Sequence, residues 1–347
     1  MILRGPDTFP APARVLFVQL RRIGDVLLGT PAVRAIAEKF PDARIDFVAE
    51  PPADEALWGN PRIERLLVAP RGNGVRDWLR FVAQIREKRY DWAIDFFSNP
   101  RSAQFTYFSG AMIRVGLDRR GRRWAYTHCV VEETSDRDLY AVDLRLKILA
   151  MAGIPASGRD LEIYADKADS IEAARAEALL DSLPQSGPIA AVSTGTINPA
   201  KLYPPEMTAE MIKGLRREGL SVVVTAGPGE TPLAEEAIRL AGEDLPLLRG
   251  ARLPALAALY RRVDLFVGPD SAPKHVAVAC GLPTVTLFGL GRAENWNDPL
   301  NPRNVVMAPP GGVPDGCDLA EFIRREYMKT IPPEDIVKAA VKLLKKG

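Results

Sequence analysis

The sequence predicts an α/β protein of two doubly wound domains, each built on a mostly parallel sheet. Short runs rich in β-formers alternate with amphipathic stretches along the whole chain, as in RVLFVQL, ARIDFVAE, IAAVSTG and VDLFVG. These runs are continuously apolar, as expected of strands covered on both faces. A length of 347 residues suits two domains, and 47% hydrophobic with 26% charged residues allows a sizeable core.

Residues 14–20 read as the first strand. RRIGDVLLGTPAVRAIAEKFP follows, with Gly24 permitting close backbone approach, a helix carrying Leu27, Leu28, Val33, Ile36 and Phe40, and Pro41 closing it. ARIDFVAE is the second strand and LLVAP the third. Residues 75–88 space Trp78, Phe81, Val82 and Ile85 along one helical face, which is a core pattern. YDWAIDFFSNPRSAQFTYFSGAMIRVGLD reads strand, polar turn, helix, short strand, and DRRGRRWAYTH from Asp118 is an Arg-rich loop. A helix over 137–152, the segment LEIYA and an Ala/Glu-rich helix over 167–183 lead into the second half, so the expected domains are 1–165 and 166–347. The second half holds strands at 189–195, 220–229 and 245–250, then VDLFVG and TVTLFG. PPEDIVKAAVKLLKK closes the chain as an amphipathic helix whose basic end suits its dipole.

Composition removes several function classes. Cys129, Cys280 and Cys317 are odd in number and unclustered, and His128 and His275 are the two histidines, so neither a disulfide framework nor a zinc site is expected. The opening MILRGPDTFPAPAR lacks the apolar core of a signal peptide, and no window approaches the roughly 18 apolar residues of a membrane helix. Net charge is +2, which suggests no nucleic-acid partner. It is unevenly spread: residues 1–165 hold 25 basic residues, 22 of them Arg, against 21 acidic, and 166–347 hold 21 against 23. Arg favours bidentate recognition of phosphate or carboxylate, so an anionic partner is suggested for the first half.

The densest polar chemistry lies in VDLFVGPDSAPKHVAVACGLPTVTLFG, a strand, tight turn, helix and strand. Such a turn sits at the carboxyl end of a parallel sheet, where ligands bind, and it carries Asp270, Ser271, Lys274 and His275. Asp270 alone also suits a plain helix cap. Ser193, Thr194, Gly195 and Thr196 follow another strand end and offer donors to phosphate, with Lys201 six residues beyond Gly195. Gly227-Pro228-Gly229-Glu230 follows a third, and it is not the GxGxxG of a dinucleotide site. In the first half Asp25 either caps its helix or presents a carboxylate as a general base beside Gly24.

These segments together resemble glycosyltransferase family 9, the ADP-heptose:lipopolysaccharide heptosyltransferase group. The resemblance spans nearly the whole length and rests on VLFVQLRRIGDVLLGTPAVRAI, YDWAIDFFSNPRSAQFTYFSGAMIRVGLD, GPGE and VGPDSAPKHVAVACGLPTVTLFG. It implies a GT-B fold, two Rossmann-like domains facing a cleft, with the acceptor bound by 1–165 and the nucleotide sugar by 166–347. It also implies an inverting transfer without metal or cofactor, from a donor such as ADP-heptose to an anionic, lipid-linked inner-core saccharide of lipopolysaccharide. The expected place is the cytoplasm, with peripheral contact at the cytoplasmic face of the inner membrane.

By position, the resemblance makes Asp25 the base, Lys201 the donor-phosphate lysine, Asp270 the aspartate of the last ligand turn and Ser271 its neighbour on the diphosphate. His275 follows in the helix, and Glu230 falls at the ribose. Ser193, Thr194, Gly195, Thr196 and Ala272 complete the donor side. Arg22, Arg101, Arg119, Arg120, Arg122 and Arg123 are the acceptor-side cations. Three departures stand out: Ala272 where the family turn has Gly, Lys274 beside it, and LGRAENWNDP after Gly289; Tyr203 also replaces an aromatic Trp in KLYP. A nucleotide-sugar hydrolase, an epimerase using Asp25 with His275, or a catalytically idle binding protein marked by Ala272 are the alternatives.

Overall fold

The computed structural model describes residues 2–5, 9–72, 74–183, 187–196, 198–313 and 317–345. The chain forms two compact units, Met1–Tyr164 and Ala165–Gly347.

The first unit contains β1 (Ile2–Arg4), β2 (Arg14–Val18), α1 (Ile23–Leu27), α2 (Thr30–Lys39), β3 (Arg44–Ala49), β4 (Arg65–Val68) and α3 (Val75–Glu87). It continues through β5 (Trp92–Asp95), α4 (Pro100–Phe108), β6 (Ile113–Leu117), β7 (His128–Val131) and α5 (Ala141–Ala150). Its sheet runs β1-β7-β6-β5-β2-β3-β4, parallel except for β1 against β7. The chain winds outward from β2 to β4, then from β5 to β7 on the other side. Strand order therefore reverses between β2 and β5, and the crevice at such a reversal is where doubly wound sheets bind ligands. Buried Leu16, Val18, Val48, Phe81, Ile85 and Phe105 pack one face, so the predicted apolar face of α3 is core as expected.

The second unit comprises α6 (Ala165–Ala168), α7 (Ser170–Asp181), β8 (Ile189–Ser193), α8 (Pro205–Arg217), β9 (Ser221–Thr225), α9 (Thr231–Ala241), β10 (Leu247–Leu248) and α10 (Leu253–Tyr260). Then come β11 (Leu265–Pro269), α11 (Ala272–Ala279), β12 (Thr284–Leu287), β13 (Asn304–Met307), α12 (Leu319–Arg324) and α13 (Pro333–Leu344). The sheet is fully parallel, ordered β10-β9-β8-β11-β12-β13, and reverses between β8 and β11. That is the dinucleotide-fold order without the dinucleotide glycine pattern.

Several elements differ from the sequence reading. The helix expected over 137–152 is Ala141–Ala150, because Asp136 accepts the N–H of Glu133 at 2.8 Å and Lys147 at 2.6 Å, which holds Thr134–Asp136 as a separate 3₁₀ turn. The helix expected over 167–183 is split, since the Asp169 side chain accepts the N–H of Glu172 and starts α7 afresh. The strand expected at 245–250 is only Leu247–Leu248. Conversely, β1, β7, β13 and α12 were not foreseen; at three to six residues they are too short to leave a periodic signal.

Candidate functional site

In the second unit the reversal crevice is lined by the ends of β8 and β11. Gly268 lies opposite Ser193, and a Cβ there would stand 2.9 Å from both the Ser193 Cβ and its carbonyl, so glycine is what lets the strand ends close up. Ser193 and Thr194 are buried, and among the described residues Ser193 Oγ and Thr194 Oγ1 find no hydrogen-bond partner. Buried hydroxyls are rarely left so unless a ligand or water completes them. Thr196 Oγ1 accepts the N–H of Asn198, whose side chain in turn caps the Pro199–Lys201 turn.

That turn delivers Lys201. Gly289, just past β12, packs against the carbonyl of Ala200 with no room for a side chain. Lys201 is thereby held over the ring of Phe288, its Nζ 5.5 Å from the centroid, and reaches Asp270 Oδ2 at 2.5 Å. Asp270 follows β11 and is 3% exposed. Its other oxygen, Oδ1, faces Lys274 Nζ at 3.2 Å and His275 Nε2 at 3.9 Å. Burial by itself would raise the Asp270 pKa, but the combined pull of Lys274, His275 and Lys201 holds it down to about 2. The carboxylate is therefore ionised and outnumbered by cations.

Ser271 is the N-cap of α11 in an extended conformation, and its hydroxyl turns back to the carbonyl of Pro269 rather than capping the helix. The N–H groups of the first turn consequently lack a side-chain cap and remain available to an anion. Pro273 contributes none. Ala272 opens the helix without left-handed backbone. Glu230 stands at the N-cap position of α9, but its side chain turns back from the helix, where Oε2 accepts the N–H of Gly227 at 2.8 Å. The same carboxylate fills the space a Cβ on Gly195 would need, which sets Glu230 directly on the 193–196 segment. Thus Ser193, Thr194, Gly195 and Glu230 form one group, and Lys201, Asp270, Ser271 and His275 another, with Ser193 against Gly268 joining them.

In the first unit, Asp25 lies in α1, whose N-cap Arg22 has a left-handed φ of 62°. Asp25 Oδ1 meets Arg145 of α5 at 3.4 Å, and Arg145 is buried with its guanidinium over Phe96. Arg101 is not a free cation for a ligand: it pairs with buried Glu50 at 2.8 Å and also donates to the carbonyl of Pro70. Glu50 binds Arg21 as well, at 3.0 Å. The Arg-rich loop has its own contacts. Arg119 pairs with Glu132 at 2.5 Å, Arg122 donates to the Arg120 carbonyl, and Arg119, Arg120 and Arg123 are exposed.

Arg145, Glu50 and the role of Lys274 were missed in the sequence. Arg145 sits between Leu144 and Leu146, and a cation amid the apolar residues of a core helix is the signal that could have found it. Among the described residues, no three His, Cys, Asp or Glu side chains are grouped so as to hold a metal ion, and no helix is long and apolar enough to cross a membrane.

Residues 78–311 match glycosyltransferase family 9 (heptosyltransferase). The chain is 28% identical over 341 residues to lipopolysaccharide heptosyltransferase 3 of Escherichia coli K12, covering 94% of this chain and 96% of that one. In structure it is similar to a family 9 glycosyl transferase from Veillonella parvula, with a TM-score of 0.82, 22% identity and coverage of 96% and 98%. It is also similar to E. coli ADP-heptose lipopolysaccharide heptosyltransferase II, with a TM-score of 0.75, 20% identity and coverage of 96% and 99%.

Proposed function

The chain belongs to glycosyltransferase family 9 and has the GT-B fold, and from that premise we propose that it moves a heptose from ADP-heptose to an anionic inner-core saccharide of lipopolysaccharide, with inversion and without a metal. That it is a heptosyltransferase-type glycosyltransferase follows from the family. The finer statements rest on one observation above all: a buried aspartate outnumbered by Lys201 and Lys274 beside an uncapped helix start and two hydroxyls without a partner among the described residues.

In this reading the donor diphosphate meets Lys201, the N–H groups of Ser271 and Ala272, and the hydroxyls of Ser193 and Thr194. These fixed positive ends supply the countercharge as the ADP leaves, the place a divalent ion fills in metal-dependent transferases. Thr196, Gly195 and Glu230 border the nucleoside, with the Glu230 carboxylate positioned for ribose hydroxyls. Asp25, oriented by Arg145, removes the proton of the acceptor hydroxyl as that oxygen attacks the anomeric carbon opposite to the leaving diphosphate. The acceptor belongs to the first unit, whose cations Arg22, Arg119, Arg120, Arg122 and Arg123 suit an anionic sugar. Arg101 serves indirectly by fixing Glu50.

A peripheral contact with the cytoplasmic membrane face belongs to the same reading. Exposed Trp124 packs edge-on against exposed Tyr107, with Arg114 over the Tyr107 ring and Arg122 and Arg123 adjoining. Aromatic bodies flanked by Arg suit an anionic lipid surface.

The deciding experiment incubates the purified protein with ADP-heptose and a deacylated inner-core acceptor in saturating chelator. Stoichiometric ADP release with a product of inverted anomeric configuration supports the proposal. A strict divalent-metal requirement or a retained configuration overturns it, free heptose marks a hydrolase, and binding without turnover marks an idle protein.

A further inference from the structure

Lys274 and LGRAENWNDP are two of the departures noted in the sequence, and the structure joins them. Lys274 Nζ donates to the carbonyl of Trp296 at 2.6 Å while facing Asp270 Oδ1 at 3.2 Å. The side chain is 1% exposed, beyond the reach of a ligand in the crevice. Nearby, the rings of Trp296 and His275 meet at 73° with centroids 6.4 Å apart, and Asn297 is buried and donates to the carbonyl of Ala293. Adjacent residues of α11 thus hold the 290–299 segment, one through an ammonium and one through a ring.

We propose that Lys274 is a positioning residue for the donor site, holding Asp270 and the 290–299 segment in place and leaving the crevice with a surplus positive charge for the diphosphate. The inference rests on the reading of this turn as the diphosphate site. Each Asp270 oxygen has its own ammonium, Oδ2 from Lys201 and Oδ1 from Lys274. With Lys201 alone the ion pair would be neutral, and an arriving diphosphate would have to compete with Asp270 for one lysine. With Lys274 behind the carboxylate, Asp270 keeps a partner when Lys201 turns to the ligand.

This arrangement titrates. The groups facing Lys274 Nζ are Asp270, Lys201 and the Trp296 carbonyl, and His275, next in the helix, faces the same Asp270 oxygen. Burial lowers the Lys274 pKa, Asp270 partly restores it, and the balance lies at about 8. Above that value the ammonium loses its proton, the surplus charge disappears and the diphosphate is held less tightly.

The test is calorimetric titration with ADP from about pH 7.5 to about pH 9.5, where its terminal phosphate is already ionised. The wild type, Lys274→Met and Lys274→Arg are compared. The wild type should lose affinity across this range. Lys274→Met should bind about tenfold more weakly at the lower end, because the crevice loses its surplus charge and Asp270 holds on to Lys201, and show no such decline. Lys274→Arg, whose charge does not titrate here, should bind more tightly than Lys274→Met and also lack the decline. A decline that persists in Lys274→Met or in Lys274→Arg overturns the proposal, as does a flat wild-type profile, which can be read even if a variant misfolds. Failure of the wild type to bind ADP at any pH refutes instead the underlying reading of the site, and the inference falls with it.

Discussion

Lys201 and Asp270 lie 69 positions apart in the chain and meet at 2.5 Å where the second sheet reverses its strand order. The pair links the turn after β8 to the turn after β11. Removing the ammonium should therefore weaken binding more than removing a surface lysine. Lys201→Ala is expected to weaken ADP binding by about 1.5–3 kcal/mol, roughly ten- to hundredfold. Calorimetry measures this, and unchanged affinity would remove Lys201 from the phosphate site.

Asp25 makes a different demand, since it belongs to the other unit. Asp25→Asn preserves size and a carbonyl acceptor for Arg145 but cannot take a proton. Turnover should fall by about 10²–10⁴, the usual cost of losing a general base, while ADP affinity stays as in wild type. Turnover like that of wild type would sink the assignment.

The architecture was legible because parallel strands buried on both faces leave continuous apolar runs, and Gly, Pro and Asp mark their ends. Asp270 and Lys201 could be picked out for the same reason: each follows such a run. What stayed hidden depends on contacts remote in sequence. Nothing in the residues around Arg101 announces Glu50, 51 positions earlier, so an arginine held inside an ion-pair network resembled one free for a ligand. Nor could Lys274 be connected to Trp296 by spacing, because the bond goes to a backbone carbonyl in an irregular segment.

Asp95 offers a prediction about stability. It is fully buried at the end of β5, accepts the N–H groups of Phe97 at 2.9 Å and Ser98 at 2.8 Å, and receives the Tyr126 hydroxyl at 2.8 Å. Burial outweighs these bonds and pushes its pKa up from 3.8 to about 6. The folded state therefore holds a proton that the unfolded chain has released, so stability from this group falls as pH rises between about 4 and about 6. The loss is on the order of 3 kcal/mol. Asp95→Asn keeps the acceptor for both N–H groups and has no proton to lose. Its Tm relative to wild type should grow more favourable from pH 4 to pH 7 by thermal melts, and a pH-independent difference would refute the account.

The Arg-rich loop tests the proposed separation of acceptor from donor. Arg119 is partly satisfied by Glu132, whereas Arg120 and Arg123 are exposed beside Trp124, which is 52% exposed. All lie in the first unit, and the turn proposed for the diphosphate lies in the second. Changing Arg119, Arg120, Arg122 and Arg123 together to Gln should raise the acceptor KM and leave ADP binding unaltered. Trp124→Ala tests the lipid contact separately. If its ring rests on the membrane, the KM should rise for an acceptor embedded in anionic vesicles and stay constant for a water-soluble, deacylated acceptor, since only the former is gathered on the same surface. A purely solvated loop would leave every one of these values unchanged. Should the four-Arg variant lose ADP affinity and keep its acceptor KM, the division of labour between the two units would be wrong, because a loop built around acceptor charge has no reason to sense the nucleotide.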